Sequence, residues 1–470
     1  MSDKINRELS RRTFFFMSGA AAAAGALTRR ARAQETPSAN DRLNVACIGC
    51  GGQGSGDLMR VVIDQENVVA LCDVDSRRGA TSFNRYPDAP RYTDYREMLD
   101  KEHANIDAVV ISTPDHMHAV AALAAMQLGK HVYVQKPLTH NIHEADVLLE
   151  AARRYGVVTQ MGNQGKSTDG VRRLCEYIWA GVIGQVREAH IWTDRYRSHA
   201  DHGWIQGVGQ ALPEEPVPDH MDWDLWLGCA PHRPYNSGYA PFAWRGWWDF
   251  GCGALGDMGC HNMNAAFWSL DLSMPTSVEC THQEGKNDQT APSEAIVRYD
   301  FPARYNRYAG QDMGPVQAFW YESSLLPERP EGIPEEEALG DGDGVNGTFF
   351  IGEKGILTCG THGDNPRLLP AAEMEARKDE LDSIPEIFPR IPNSIEGHHR
   401  DFAMACKTGG KATADFEYSV PLTKMVLLGN VAMRAGEKIE WDGQAMRIPN
   451  NPAAEQYLSR DYREGYGLAL

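Results

Sequence analysis

The stretch that most constrains this chain is Val45-Ala46-Cys47-Ile48-Gly49-Cys50-Gly51-Gly52-Gln53-Gly54. An apolar run of strand character breaks into glycines, and helix-like sequence follows from about Gly54. Gly49, Gly51 and Gly54 stand as G-x-G-x-x-G, with Gly52 and Gln53 completing the turn. The first glycine allows the tight turn, the second lets backbone approach a pyrophosphate, and the third lets helix and strand pack closely. The free N–H groups of the helix start then face phosphate charge. A second apolar run, Val68–Cys72, ends at Asp73, where a carboxylate that accepts from ribose hydroxyls is expected. The pattern predicts a dinucleotide site that takes NAD, while Arg77 and Arg78 nearby keep NADP open.

From Leu43 to Met161 strand-like and helix-like runs alternate. Strands are expected at Ala108–Ser112, closed by Thr113-Pro114, at His131–Gln135, followed by Lys136-Pro137, and at Val157–Met161. Helices are expected at Ser76–Phe83, Asp94–Lys101, His116–Leu128 and Asn141–Arg154. Such alternation predicts an α/β fold with a doubly wound parallel sheet. Past Gly162 the rhythm changes. Strand-like pieces at Val186–Thr193, Ala295–Phe301, Val316–Tyr321 and Thr348–Ile351 are separated by long loops rich in Gly, Pro and Trp. They predict an α+β domain with a mixed or antiparallel sheet, closed by helices near Ile395–Lys407 and Val420–Ala435. The acidic segment Glu322–Gly347 lacks the spacing of a calcium loop and reads as a solvated loop.

The domain boundaries expected are a leader over residues 1–33, a Rossmann domain over 34–162 and an α+β domain over 163–470. The leader carries a twin-arginine pattern, Ser10-Arg11-Arg12-Thr13-Phe14-Phe15, then an alanine-rich run and an A-x-A cleavage site at Ala31-Arg32-Ala33. Its apolar run, about fifteen residues, is too short to span a bilayer. The expectation is therefore a mature protein exported to the periplasm, with no membrane span. A formal charge of −18 argues against nucleic acid as a partner. The ten cysteines are scattered, and Cys47 and Cys50 lie inside the strand and glycine turn, so they read as packing residues. No metal site is supported.

Two further positions carry chemistry. Lys136 stands at the C-terminal end of a parallel strand, the edge at which such sheets bind ligands. Gly253–His261 opens a helix on which Asp257 and His261, four residues apart, share a face. A histidine oriented by a carboxylate, beside a lysine that polarises an oxygen, suits proton transfer at a carbinol. Thr113, Pro114 and His118 are placed along the cofactor cleft, and Asn163 and Gln164 near the nicotinamide ribose. Arg195, Tyr196, Trp244, Arg245, Trp247 and Asn264 are placed at the substrate, since aromatics stack on sugar faces and arginine binds hydroxyls. His398-His399 reads as an ordinary helix pair.

In this order the motifs Gly49-x-Gly51-x-x-Gly54, Asp73, Thr113-Pro114-x-x-x-His118, Gln135-Lys136-Pro137 and Gly256-Asp257-x-x-x-His261 make a chain that resembles the Gfo/Idh/MocA oxidoreductases. The resemblance implies a Rossmann domain followed by a large open-faced sheet, which would also serve homo-oligomer formation. It implies Lys136, Asp257 and His261 as the catalytic triad, with His261 the general acid/base. It departs from the family at Gln135, where a glutamate is usual. The function expected is an exported NAD(P)-dependent oxidoreductase that transfers hydride at a secondary alcohol of a sugar, polyol or glycoside with a tightly held, recycled cofactor. Two alternatives are an NAD-dependent glycosidase working by oxidation, elimination and reduction, and a non-catalytic sugar-binding protein.

Overall fold

The computed structural model describes residues 42–470, and the leader expected over residues 1–33 lies outside them. Six parallel strands form the first sheet: β1 (Asn44–Ile48), β2 (Asn67–Cys72), β3 (Arg91–Tyr92), β4 (Ala108–Ile111), β5 (His131–Val134) and β6 (Thr159–Met161). Their order, β3-β2-β1-β4-β5-β6, reverses direction between β1 and β4. Ligands bind at such a reversal, beyond the carboxyl ends of the strands. The strands are short, apolar and mostly buried, as a sheet covered on both faces requires. The helix Ile142–Tyr155 starts with a capping box between Asn141 and Glu144 and stops at Gly156 in the left-handed conformation.

Gly49 and Gly54 shape the turn after β1 as their spacing predicts. Gly49 has φ +73°, and a Cβ there would lie 2.9 Å from the Ser112 backbone. A Cβ on Gly54 would overlap the carbonyl oxygen of Gly49, so only glycine lets this helix sit against the turn. Cys47 and Cys50 are buried free thiols, as expected of packing residues.

The second sheet has eight strands: β7 (Val186–Thr193), β8 (Ser277–Glu284), β9 (Glu294–Phe301), β12 (Val316–Glu322), β13 (Asn346–Gly352), β14 (Ile356–Cys359), β15 (Arg367–Leu369) and β16 (Ile439–Glu440); β10 (Arg304–Asn306) and β11 (Gln311–Met313) form a separate ribbon. The order is β15-β14-β13-β7-β12-β9-β8-β16, with β7 and β12 parallel and every other pair antiparallel. β9 and β12 alternate buried and half-buried residues. Their buried side belongs to the same core as the wholly buried helix Gly253–Ser269 and the helix Phe416–Ala435. Strands β8 and β14 and the helix Asp169–Trp179 were not foreseen. β8 is polar and exposed over its second half, and β14 has four residues, too few for a period-2 signal.

The chain then returns to the first sheet. Phe402 and Ala403 of the helix Ser394–Thr408 belong to the core around Leu58, Val110 and Tyr133, and Lys424 pairs with Asp146 at 2.8 Å. Position 162 thus marks the end of a sheet, while Leu43–Leu470 forms one compact unit. The His398-His399 pair is also more than an ordinary helix pair. Both rings are fully buried, His398 between Ser167 and the Met161 carbonyl, His399 between Tyr133 and Asp57.

Candidate active site

A cavity of about 610 Å³ runs from the glycine turn to the helix Gly253–Ser269. Gly49, Gly51, Gln53, Asp73, Thr113, Pro114 and Gln135 line it on one side. Lys136, Gln164, Arg195, Trp244, Arg245, Asp257 and His261 line the other.

On the cofactor side, Asp73 Oδ2 accepts from the Gly51 N–H at 2.9 Å and Oδ1 from the Asp75 N–H at 3.0 Å. These bonds hold the carboxylate against the turn, and burial raises its pKa to about 6. The missing Cβ of Gly51 would meet the Arg78 backbone at 2.6 Å, so glycine here lets the turn pack against the helix Ser76–Arg85. The cradle therefore fits a dinucleotide, with an acceptor for ribose at one end and bare backbone for a diphosphate.

Gln135 donates to Asp57 Oδ2 at 2.8 Å, and Asp57 also accepts from Ser112 Oγ and Gln53 Nε2 and meets His399 Nε2 at 3.1 Å. The carboxyl group absent from position 135 is thus found one hydrogen bond away, on buried Asp57 of the helix Gln53–Val61. Asp57 carries no sequence signal, because its partners lie up to 342 residues away.

The Lys136-Pro137 bond is cis. Lys136 Nζ donates to Asp257 Oδ1 at 2.9 Å and to the Asp257 carbonyl at 2.8 Å. Arg245 Nε donates to the same Oδ1 at 3.2 Å, and Arg195 Nε stands 3.4 Å from Oδ2. Burial alone would push the Asp257 pKa up, yet Lys136, Arg245 and Arg195 together hold it well below the usual carboxylate range. The carboxylate does not orient His261, as the sequence suggested, because the three cations occupy it and no hydrogen bond joins the two side chains.

His261 instead meets His362, ring centroids 4.5 Å apart and edge to face. Burial, then His362 and Lys136, lower the His261 pKa far below the ordinary histidine value, and burial lowers that of His362 to about 4. Both rings are neutral at neutral pH. His362 was missed, since it sits on a left-handed turn (φ +64°) with no motif. The turn is pinned by Asp341, which accepts from Thr361 N and Oγ1 at 2.9 and 2.6 Å. The acidic segment read as a solvated loop thus supports the site through Asp341. Asp115, also unforeseen, is buried in the cavity wall, accepts from the Cys252 N–H at 3.1 Å, and is raised by burial to about 7.

Other expected site residues lie elsewhere. Trp247 is fully buried in an aromatic core with Trp223, Tyr239 and Phe250, its indole N–H donating to the Gly238 carbonyl. Tyr196 packs edge-on to Trp204 outside the cavity wall. Asn163 and Asn264 are buried against each other at 3.0 Å, with Asn264 also accepting from Tyr418. His118 is buried between the carbonyls of Thr113 and Pro137, so it ties the two cofactor loops together without reaching the cavity. Gly52 and Gly54 shape the turn from behind.

Residues 43–163 match a family described as an oxidoreductase family with an NAD-binding Rossmann fold, and residues 197–302 match its C-terminal alpha/beta domain. These two stretches match the Rossmann and C-terminal domains of the Gfo/Idh/MocA oxidoreductases. The six-stranded parallel sheet thus lies within the stretch that matches an NAD-binding Rossmann fold. Inositol 2-dehydrogenase of Salmonella typhimurium is 28% identical over 152 residues, 32% of this chain and 45% of that protein. A 1,5-anhydro-D-fructose reductase of Ensifer adhaerens is 28% identical over 137 residues, 29% and 40% of the two chains. The chain thus spans less than half the length of these relatives. An inositol dehydrogenase homologue of Azotobacter vinelandii, solved with NADH and myo-inositol, shares the fold with a TM-score of 0.54 at 17% identity, over 85% of this chain and 98% of the other.

Proposed function

We propose that this chain is an exported, NAD-dependent oxidoreductase of the Gfo/Idh/MocA type acting at a secondary alcohol of a sugar, polyol or glycoside. The observation that carries this reading is one continuous cavity that joins the Asp73–Gly51 cradle to Lys136, Asp257 and His261. Asp73 and the Gly51 turn would hold the cofactor, which when bound would supply the hydride acceptor. His261, neutral and without a hydrogen-bond partner for its buried Nδ1, takes the hydroxyl proton. The Lys136 ammonium, fixed by Asp257, stabilises negative charge developing on the same oxygen. Trp244 offers an aromatic wall to a sugar face. Incubating the mature protein with NAD⁺ and a panel of sugars, polyols and glycosides is expected to produce NADH. Aglycone released without net oxidation would instead favour the NAD-dependent glycosidase. The intact Lys136–Asp257–His261 set argues against a non-catalytic sugar binder.

Asp73 makes the cofactor preference pH-dependent. Above a pKa of about 6 the carboxylate is ionised, accepts from the ribose hydroxyls and repels a 2′-phosphate. Below it the repulsion is lost. Preference for NAD over NADP is therefore expected to be widest near pH 8 and to narrow toward about pH 5, and Asp73→Ser is expected to narrow it throughout. Dissociation constants for both cofactors check this, and a wild type that prefers NADP overturns it.

Export bears on the cofactor as well. A twin-arginine leader moves folded proteins, and free NAD is scarce outside the cytoplasm, so the cofactor is loaded before export and retained between turnovers. Such binding contributes on the order of 4 kcal/mol of stability at about a thousand times Kd. Mature protein purified without added cofactor is expected to release near-stoichiometric NAD(H) on denaturation. An apo protein that needs millimolar NAD contradicts it. The mature protein is also proposed to form homo-oligomers through the second sheet, where His190, Phe319 and Tyr321 stack in a half-buried strip.

A further inference from the structure

The substrate side of the cavity carries more positive charge than its own residues use. Lys136, Arg195 and Arg245 converge on Asp257, a single carboxylate. Oδ1 already receives Lys136 and Arg245, and Lys136 also holds the Asp257 carbonyl. Arg245 is clamped between the rings of Phe242 and Trp244, each centroid 4.3 Å from its guanidinium carbon. Its position is therefore fixed before any ligand arrives. Arg195 is different: its Nε is buried without a hydrogen bond, its terminal nitrogens bond to no group among the described residues, and its side chain, 32% exposed, lines the cavity. A guanidinium offers five donors, and those on the exposed edge are open to a ligand that enters the cavity.

The neighbours do not offset the surplus. His261 and His362 are neutral. Asp115 has its Oδ2 committed to the Cys252 N–H and is half-protonated near neutral pH. On the proposed oxidoreductase reading, the oxidised nicotinamide would add another positive charge. A neutral sugar could meet the donors of Arg195 but would leave the charge standing.

We propose that the substrate is an acidic sugar, one whose carboxylate is received by the free edge of Arg195 with support from Arg245. A planar carboxylate matches the guanidinium fork in a bidentate pair, which a hydroxyl cannot do. Its charge offsets the Lys136–Arg195–Arg245 excess in the cavity where the hydroxyl proton must leave. This inference rests on the proposed oxidoreductase site, and its test is kept separate from turnover.

The test is calorimetric titration of the NADH-loaded protein, in which alcohols bind without reacting. The probes are a panel of hexuronates, the neutral hexoses of matching configuration, myo-inositol and glucose 6-phosphate. At least one hexuronate is expected to bind about tenfold or more tighter than its neutral counterpart, the scale of a charge-assisted bidentate contact. Arg195→Gln is expected to erase that margin and Arg195→Lys to restore part of it, with NADH affinity equal in all three proteins. Neutral sugars that bind as tightly as hexuronates, a margin that survives Arg195→Gln, a sugar phosphate that binds tighter than any hexuronate, or no hexuronate binding at all would each overturn the proposal. If the margin holds but NAD⁺ yields no NADH with any probe, the acidic-sugar site stands and the oxidoreductase reading fails.

Discussion

Replacing His261 with alanine is expected to lower turnover by about a hundredfold or more while the protein still binds NAD. The ring makes no hydrogen bond to any of the described residues, so its removal breaks no polar network among them, and its buried Nδ1 is left for what enters the cavity. Proton transfer is the role that such a ring can fill. The sign of the pH dependence follows from its surroundings. Burial, His362 and Lys136 lower the His261 pKa, so the neutral, proton-accepting form persists well below the pH at which an ordinary histidine charges. Oxidation is therefore expected to stay level through neutral pH and to fall only in acid. His362→Asn removes one of the groups that oppose the charge and should move that fall to higher pH. Steady-state rates across pH for the three proteins, with NAD affinity as control, check the assignment. Normal turnover in His261→Ala would assign the ring to packing.

Asp257→Ala is expected to cost both activity and stability, the latter by about 3 kcal/mol or more, because a buried ion pair that loses one partner leaves the other uncompensated. Here three cations lose their shared anion. The Asp257 side chain is 6% exposed and that of Lys136 16%, so solvent screens the loss poorly. The folded pKa of Asp257 is depressed, so its contribution is fully present above the unfolded carboxylate pKa of about 4 and fades only as pH falls through the lower folded value. The gap in unfolding free energy between wild type and Asp257→Ala should thus be constant through neutral pH and shrink in strong acid. Urea unfolding at several pH values measures it. A variant as stable as the wild type would mean that Lys136, Arg195 and Arg245 relax into solvent when the carboxylate is gone.

What could be read from the sequence was what neighbouring residues decide. The strand–glycine–helix turn, Asp73 at the end of β2, Lys136 at the end of β5 and the Asp257–His261 spacing are each set within a few residues by backbone geometry. Family resemblance then joined them in order. The tryptophan-rich segment misled in part, because Trp244 and Trp247 are three residues apart, carry the same chemistry and share one aromatic core, yet only Trp244 also reaches the cavity wall. Sequence composition does not say which way a loop side chain turns.

The sequence by itself determined the Rossmann sheet, its cofactor turn and the residue types of the reacting centre. Only the tertiary structure decided their company: Asp57 beneath Gln135, His362 against His261, Asp341 beneath the His362 turn, and Arg195 and Arg245 on Asp257. The physical reason is range. Turn and helix geometry act within a few residues, whereas Lys136 and Asp257 are 121 residues apart and His399 and Asp57 are 342 apart. Those pairings exist because burial of the two sheets and their shared helices brings distant groups together out of water, where polar and charged groups are costly to leave without partners.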